Sequence, residues 1–163
     1  MVTLDSKLFW KAYKEANEVT EGDEVEVIEV IDPSLKHWLE NNIRSQELLE
    51  LILEYPFYET VQLCASYFYG PEEIKNSTEM YQTINERYVV VGSSSCGDWI
   101  AIPRNGWDSV GYISHDEFGY DESDLLKYCG VSSSIGAFYY NTWHKKDYPC
   151  DYYDAIKYIK NNA

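Results

Sequence analysis

The sequence predicts an α+β fold in which helices pack on an antiparallel β-sheet meander. Three β-rich runs follow one another between residues 87 and 114, and only short turn-forming segments separate them. Connections this short join antiparallel neighbours, because parallel strands need a crossover of a dozen or more residues. Segments with helical periodicity lie on both sides of the runs. The 163 residues are therefore expected to form a single domain, with residues 1–31 as an N-terminal extension.

The region before residue 55 is predicted to be mostly helical. Apolar residues recur at helical spacing over about 6–18, which predicts a first helix there. Asp32 and Pro33 match the preferred N-cap and first helical position, so a second helical stretch is expected over 33–54. Between these helices, the valines and isoleucines of 25–31 predict a strand inside a very acidic segment.

The remaining segments outside the meander complete the pattern. Aromatic and small residues over 58–69 predict a strand that ends at Gly70 and Pro71. Residues 72–86 are expected to form a short helix or a long loop. Residues 151–160 predict a closing helix with acids at its start and lysines at its end, as the helix dipole favours. Its shared face consists of Tyr152, Ile156 and Ile159.

The turn between the first two β-rich runs contains the most distinctive motif in the chain. Gly92 and Gly97 bracket this turn, where glycine adopts positive φ without strain. Asp98 follows at once, and its carboxylate is expected to accept backbone N–H bonds from the 93–96 loop. Trp99 is expected on the sheet face opposite Ile100 and Ile102. These features predict a structural role for Gly92, Gly97, Asp98 and Trp99, not a catalytic one.

The segments 91–102 and 111–117 resemble the SUKH superfamily, which includes fungal cell-wall-synthesis regulators and bacterial immunity proteins. The shared pattern is a strand ending in Gly, a small polar turn, a Gly-Asp pair, a second strand, and a third strand ending near His or an acid. The resemblance covers 88–117 well and 33–163 loosely, whereas the family's usual leucine-proline helix start and Gly-Gly turn are missing. It implies a SUKH-like domain that binds another protein.

The chain is strongly acidic, with 28 acidic against 13 basic residues and a net charge of −15. Such a charge repels phosphate, so neither nucleic acid nor an anionic membrane is an expected partner. It favours a basic protein partner, although acidic charge also serves solubility alone. The 16 tyrosines and five tryptophans fit either an aromatic core or a binding surface.

The candidate partner-binding surface is the segment 108–124, which contains six acids and no Lys or Arg. Aromatic residues accompany the acids, so this segment combines charge for steering with rings for contact. A solvated acidic loop is the alternative interpretation, and the segment 15–32, with eight acids, is the competing surface. The candidate binding residues are Trp107, Asp108, Asp116, Glu117, Phe118, Tyr120, Asp121 and Glu122.

The sequence predicts no enzyme, cofactor or metal site. Common nucleotide, hydrolase and metalloprotease motifs do not occur, and 108–124 lacks the spacing of a calcium loop. The four cysteines stand singly without a CxxC pair, which argues against zinc and favours reduced thiols. A thiol dyad of Cys96 with His115 or His144 is the remaining catalytic hypothesis.

Together these features predict a non-enzymatic protein-binding module. The leading hypothesis is an immunity protein that neutralises a toxin, such as a basic nuclease; an intracellular scaffold or regulator of the same fold is the alternative, and an enzyme is a distant third. The chain has neither a signal-peptide pattern nor 18 consecutive apolar residues, so a cytoplasmic location is expected. The expected assembly is a monomer or a weak dimer.

Overall fold

A computed structural model describes residues 2–20, 22–23, 26–57, 60–105, 109–116 and 126–163. These residues contain seven helices and six strands. The helices are α1 (Ser6–Ala16), α2 (Pro33–Asn42), α3 (Gln46–Glu54), α4 (Pro71–Glu79), α5 (Gln82–Arg87), α6 (Ile135–His144) and α7 (Tyr152–Asn161). The strands are β1 (Val61–Leu63), β2 (Ser66–Phe68), β3 (Tyr88–Ser94), β4 (Trp99–Pro103), β5 (Val110–Ile113) and β6 (Tyr128–Ser132).

All six strands form one antiparallel sheet in the order β1-β2-β3-β4-β5-β6. The three central strands are the three β-rich runs of the sequence, so the α+β prediction is confirmed. The sheet extends further than expected on both sides, with the β1-β2 hairpin at one edge and β6 at the other. Every neighbour in the sheet is also a neighbour in sequence, as the short turns predict.

Residues of the central strands alternate between the two faces of the sheet. Val89 and Val91 of β3 face the larger core with Ile100 and Ile102 of β4. Trp99 packs instead at the smaller core on the opposite face, beside Tyr81 at a ring distance of 5.7 Å. The predicted separation of Trp99 from the two isoleucines is therefore confirmed.

The larger core lies between the sheet and most of the helices. At its centre Phe9 of α1, Phe68 of β2 and Tyr139 of α6 meet edge to face, with ring centroids 5.2–6.2 Å apart. The buried helical residues in this core include Phe9, Ala12, Leu39, Leu48, Ile52, Ile74, Phe138, Tyr139 and Ala155. A substantial part of the aromatic content therefore serves packing.

Helix starts follow the sequence signals. The Asp32 carboxylate accepts N–H bonds from Ser34 (2.9 Å) and Leu35 (3.2 Å), which confirms the predicted N-cap of α2. Asp151 caps α7 in the same way by accepting from the Asp154 N–H (2.8 Å).

Three predicted elements differ from the structure. The described part of 25–31 contains only an isolated bridge between Val27 and Phe57, and Val30 is 81% exposed, so its apolar residues do not form one buried strand face. The strand expected over 58–69 is instead the β1-β2 hairpin, which turns at Cys64 with φ +66°. Residues 72–86 form α4 and α5. No helix within the described residues has the length and apolar character needed to cross a bilayer.

Candidate functional site

The turn between β3 and β4 is closed by the hydroxyl of Ser94. Its Oγ accepts from the backbone N–H groups of Cys96 and Asp98, both at 3.2 Å. The Ser94 carbonyl accepts from the Gly97 N–H (3.0 Å), and Gly97 lies at φ +95°. Positive φ at Gly97 was predicted, but the loop is locked by Ser94 and not by the Asp98 carboxylate.

The Asp98 carboxylate has long-range partners instead. Its Oδ1 accepts from the backbone N–H of His115 (2.9 Å) and contacts the His115 Nδ1 (2.5 Å). Its Oδ2 accepts from the backbone N–H of Tyr152 (2.8 Å), the first residue of α7. Asp98 is only 2% exposed. One buried carboxylate therefore ties together the start of β4, the end of β5 and the N-terminus of α7.

The His115 ring lies between two carboxylates. Its Nε2 is 3.1 Å from the Asp116 Oδ1, while its Nδ1 faces Asp98. The ring also lies against Gly97. A Cβ atom added to Gly97 would lie 3.2 Å from the His115 Cε1. This ring therefore links the exposed acid Asp116 to Asp98, which in turn binds the first residue of α7.

Gly92 serves close packing and not the turn. It lies within β3 with an ordinary negative-φ or extended backbone, and a Cβ atom there would lie 1.9 Å from the Tyr67 carbonyl oxygen. The same atom would lie 2.5 Å from the Tyr139 hydroxyl, which donates to that carbonyl (2.9 Å). The expectation that Gly92 supplies positive φ was wrong. Glycine is required here because any side chain would clash with Tyr67 and Tyr139.

Two cysteines that are far apart in sequence meet beside Asp98. The side-chain ligand atoms of Cys96, Cys150 and Asp151 all lie within 4.8 Å of one another. The Cys150 Sγ donates to the Asp154 Oδ2 (3.3 Å). Burial, this hydrogen bond and the nearby negative charges raise the pKa of the Cys150 thiol to about 12. All four cysteines of the chain are free thiols.

The segment that carries Cys150 is anchored at both ends. The fully buried Tyr112 donates its hydroxyl to the Pro149 carbonyl (2.9 Å), and burial raises the pKa of Tyr112 well above its usual value. On the other side of Cys150, Tyr152 donates to Asp98. Sequence reasoning missed this cluster because its members come from 96–98, 112–115 and 149–152.

The catalytic dyad hypothesis is not favoured by these contacts. Both ring nitrogens of His115 face carboxylates, and the His144 Nε2 contacts the Glu15 Oε2 while its ring stacks on Tyr140 (4.2 Å). Each imidazole is therefore engaged by partners other than the Cys96 thiol.

Of the predicted partner-binding residues, the structure describes only Asp116. Its side chain is 63% exposed. The other seven lie outside the described residues: Trp107, Asp108, Glu117, Phe118, Tyr120, Asp121 and Glu122.

Helix α7 exposes an apolar row on its solvent side. Tyr153, Ile156 and Ile159 are 41–43% exposed, and successive members are three residues apart, so they are neighbours on the helix surface. The sequence predicted the face of Tyr152, Ile156 and Ile159, but the side that is buried against the sheet is that of Ala155. The acids Asp151 and Asp154 lie at the start of this row, and Lys157 and Lys160 lie at its end.

Comparison with known protein families, with curated proteins and with solved structures gives no match for this chain.

Proposed function

We propose that this chain is a non-enzymatic, cytoplasmic protein-binding module that neutralises a basic protein toxin. The observation that carries the proposal is the exposed apolar row of α7, Tyr153, Ile156 and Ile159. The row begins one residue after Tyr152, which Asp98 and His115 link to the exposed acid Asp116. We call this combined surface the α7 face: the three row residues together with Asp116, Asp151 and Asp154.

Electrostatics favours a basic partner for the α7 face. The chain has a net charge of −15, so it attracts a cationic protein from any direction. On α7 itself the acids Asp151 and Asp154 lie at the N-cap and in the first turn, near Tyr153, whereas Lys157 and Lys160 lie towards the other end. Charge of this kind speeds encounter and selects partners, while buried apolar contact slows dissociation.

The preorganisation of the α7 face supports binding over solubility alone. Asp98 fixes both the backbone of Tyr152 and the ring that holds Asp116. A surface that is rigid before binding loses less conformational entropy when a partner docks. Solubility needs acidic charge, but it needs neither this rigidity nor an exposed Tyr-Ile row.

The resemblance of 88–117 to the SUKH superfamily suggests which kind of partner this is. Bacterial members of that superfamily include immunity proteins that neutralise toxins. Toxins that cut nucleic acids need basic surfaces for their substrates, and an acidic inhibitor competes for those surfaces. A basic toxin is therefore the partner that agrees with the resemblance, with the net charge of the chain and with the composition of the α7 face.

The test starts with affinity capture of partners from cells that encode the chain, using wild type and the variant Ile156→Asp as baits. Met80→Asp is the matched control, because Met80 is an exposed apolar side chain (61%) at the C-terminal end of α4. We expect a basic protein on the wild-type and Met80→Asp baits, and at least about tenfold less on Ile156→Asp, as for a contact hot spot.

The captured protein is then expressed alone and together with the chain. Growth arrest by the partner alone, relieved by wild-type chain but not by Ile156→Asp, is the expected result. A stoichiometric partner that leaves growth unaffected would replace this proposal with the scaffold alternative. Equal capture by all three baits would exclude the α7 face as the docking surface.

A further inference from the structure

We propose that Cys96, Cys150 and Asp151 bind a single zinc ion, in a site that links the β3-β4 turn to the N-terminus of α7. The site shares Asp151 with the α7 face, but the proposal does not rest on toxin binding, because it is tested by metal binding to the isolated chain. Its two thiols and one carboxylate come from two segments that the fold brings together.

The distances within the cluster fit a tetrahedral ion. Zinc binds sulfur at about 2.3 Å and carboxylate oxygen at about 2.0–2.2 Å, which places the ligand atoms of a tetrahedron about 3.6–3.8 Å apart. The three ligand atoms here already lie within 4.8 Å of one another. Side-chain rotations that move each atom by roughly 1 Å are enough to close the site around the ion.

The backbone that carries the ligands is fixed by buried contacts. Ser94 closes the turn that holds Cys96, and Tyr112 holds the carbonyl of Pro149, next to Cys150. Asp98, 2% exposed, binds the N–H of Tyr152, next to Asp151. The fold therefore brings the two ligand segments together before any ion arrives, which reduces the ordering cost of binding.

The donor set determines which ion fits. Thiolates are soft ligands that select zinc or related thiophilic metals, whereas Mg²⁺ and Ca²⁺ prefer all-oxygen sites. Asp151 already accepts the Asp154 N–H through Oδ1, so its other oxygen is the ligand available for the ion. The Cys150 thiol now donates to the Asp154 carboxylate (3.3 Å). On metal binding it releases this proton to solvent, so binding is expected to strengthen as pH rises.

Three protein ligands leave a fourth position open. Cys96 is exposed, so water reaches the ion from the solvent side and completes the tetrahedron. The sequence gives no sign of this arrangement, because zinc sites are recognised by cysteines two to four residues apart. Here the fold pairs Cys96 with Cys150.

The test uses Co²⁺ as a spectroscopic probe for zinc, added to the metal-free, fully reduced protein without oxygen. We expect one Co²⁺ per chain, with the near-ultraviolet charge-transfer absorption of thiolate-bound cobalt, and loss of this absorption when Zn²⁺ is added. Cys96→Ser and Cys150→Ser should each abolish the two-thiolate signal. Cys64→Ser and Cys129→Ser are the matched controls and should retain it.

Asp151→Asn tests the carboxylate separately. Asn caps helices as well as Asp does, so α7 keeps its start, and only the charged ligand is lost. We expect affinity for Co²⁺ to fall by at least the roughly 10–100-fold that loss of an outer-shell partner costs. Circular dichroism of every variant checks that the fold is retained. Because Cys96 is exposed, Cys96→Ser is expected to fold as the wild type does.

Two results would overturn the proposal. One is the lack of any thiolate-to-cobalt absorption in the reduced wild type, or its persistence in the Cys96→Ser, Cys150→Ser double variant. The other is formation of a Cys96–Cys150 disulfide with oxidised glutathione while the reduced protein binds no Co²⁺, which would make the pair a redox element instead.

Discussion

The Asp98 carboxylate accepts a hydrogen bond of 2.8 Å from the backbone N–H of Tyr152, 54 residues further along the chain. The same group binds His115, so it connects the centre of the sheet to the last helix. A carboxylate that is 2% exposed is tolerated in the interior only when donors satisfy its oxygens, and each oxygen here has at least one. This contact gives the first prediction.

Replacing Asp98 with Ala should lower the free energy of unfolding by about 3–5 kcal/mol, the cost of leaving buried polar partners without their charged acceptor. Asp98→Asn should also destabilise, because its NH₂ group must face one of the donors that the carboxylate accepted. Urea unfolding measures both effects. The control is Asp116→Asn at an exposed acid, with a change within about 0.5 kcal/mol. A fully stable Asp98→Ala that fails to bind its partner would make Asp98 a binding residue instead.

The second prediction concerns the space around Gly92. Gly92→Ala should destabilise by about 1–3 kcal/mol, since its Cβ would overlap the Tyr67 carbonyl at 1.9 Å and the Tyr139 hydroxyl at 2.5 Å. In the background of Tyr139→Phe, the same change should cost less, because one of the two clashes is gone. Thermal unfolding of the four proteins completes the double-mutant cycle. Additive effects would show that the two residues do not interact.

The sequence predicted the centre of the sheet because its signals are local. Runs such as 87–92 and 98–103 combine β-branched residues with turns, and both form strands as expected. In contrast, α6 received no prediction. Its sequence contains Gly136 and several aromatic or polar residues, and apolar side chains surround much of the helix, so the 3.6-residue period is weak. β6, with Gly130 at its centre, gives an equally weak strand pattern.

The candidate site was predicted only in part, for a related reason. Asp98 was expected to have a structural role, but its partners depend on where β5 and α7 pack, and local turn chemistry does not contain that information. The same holds for Cys96 and Cys150, which are adjacent only in the folded chain. The acidic net charge could be predicted from composition. The exposed apolar row of α7 could not, because it depends on which side of the helix faces the sheet.

The third prediction concerns the reactivity of Cys64. Burial, and to a smaller extent the charge of Glu15, raises the pKa of this thiol to about 11. The thiolate is the nucleophile, so at pH 8 about one thiol in a thousand is reactive, compared with roughly one in four for an ordinary cysteine. Iodoacetamide labelling read by mass spectrometry should therefore be slow at pH 7 and rise about tenfold by pH 8 and again by pH 9. Labelling in guanidinium is the control; equal rates in folded and unfolded protein would contradict the prediction.

The last prediction concerns how the partner is recognised. If acidic charge steers binding, the association rate should fall markedly as salt rises from about 0.05 to 0.5 M, while dissociation changes less. Neutralising acids of the 108–124 segment should slow association more than neutralising the same number in the 15–32 segment, because the first set includes Asp116, which His115 and Asp98 link to the first residue of α7. The first variant changes Asp116, Glu117, Asp121 and Glu122 to their amides. The matched variant, which alters net charge by the same amount, changes Glu18, Glu21, Glu26 and Glu29. Stopped-flow mixing with the captured partner measures both rates.

Equal slowing by the two variants would mean that overall charge attracts the partner without selecting this surface. An association rate that is insensitive to salt and to both variants would leave the apolar contact of Tyr153 and Ile156 as the sole source of recognition.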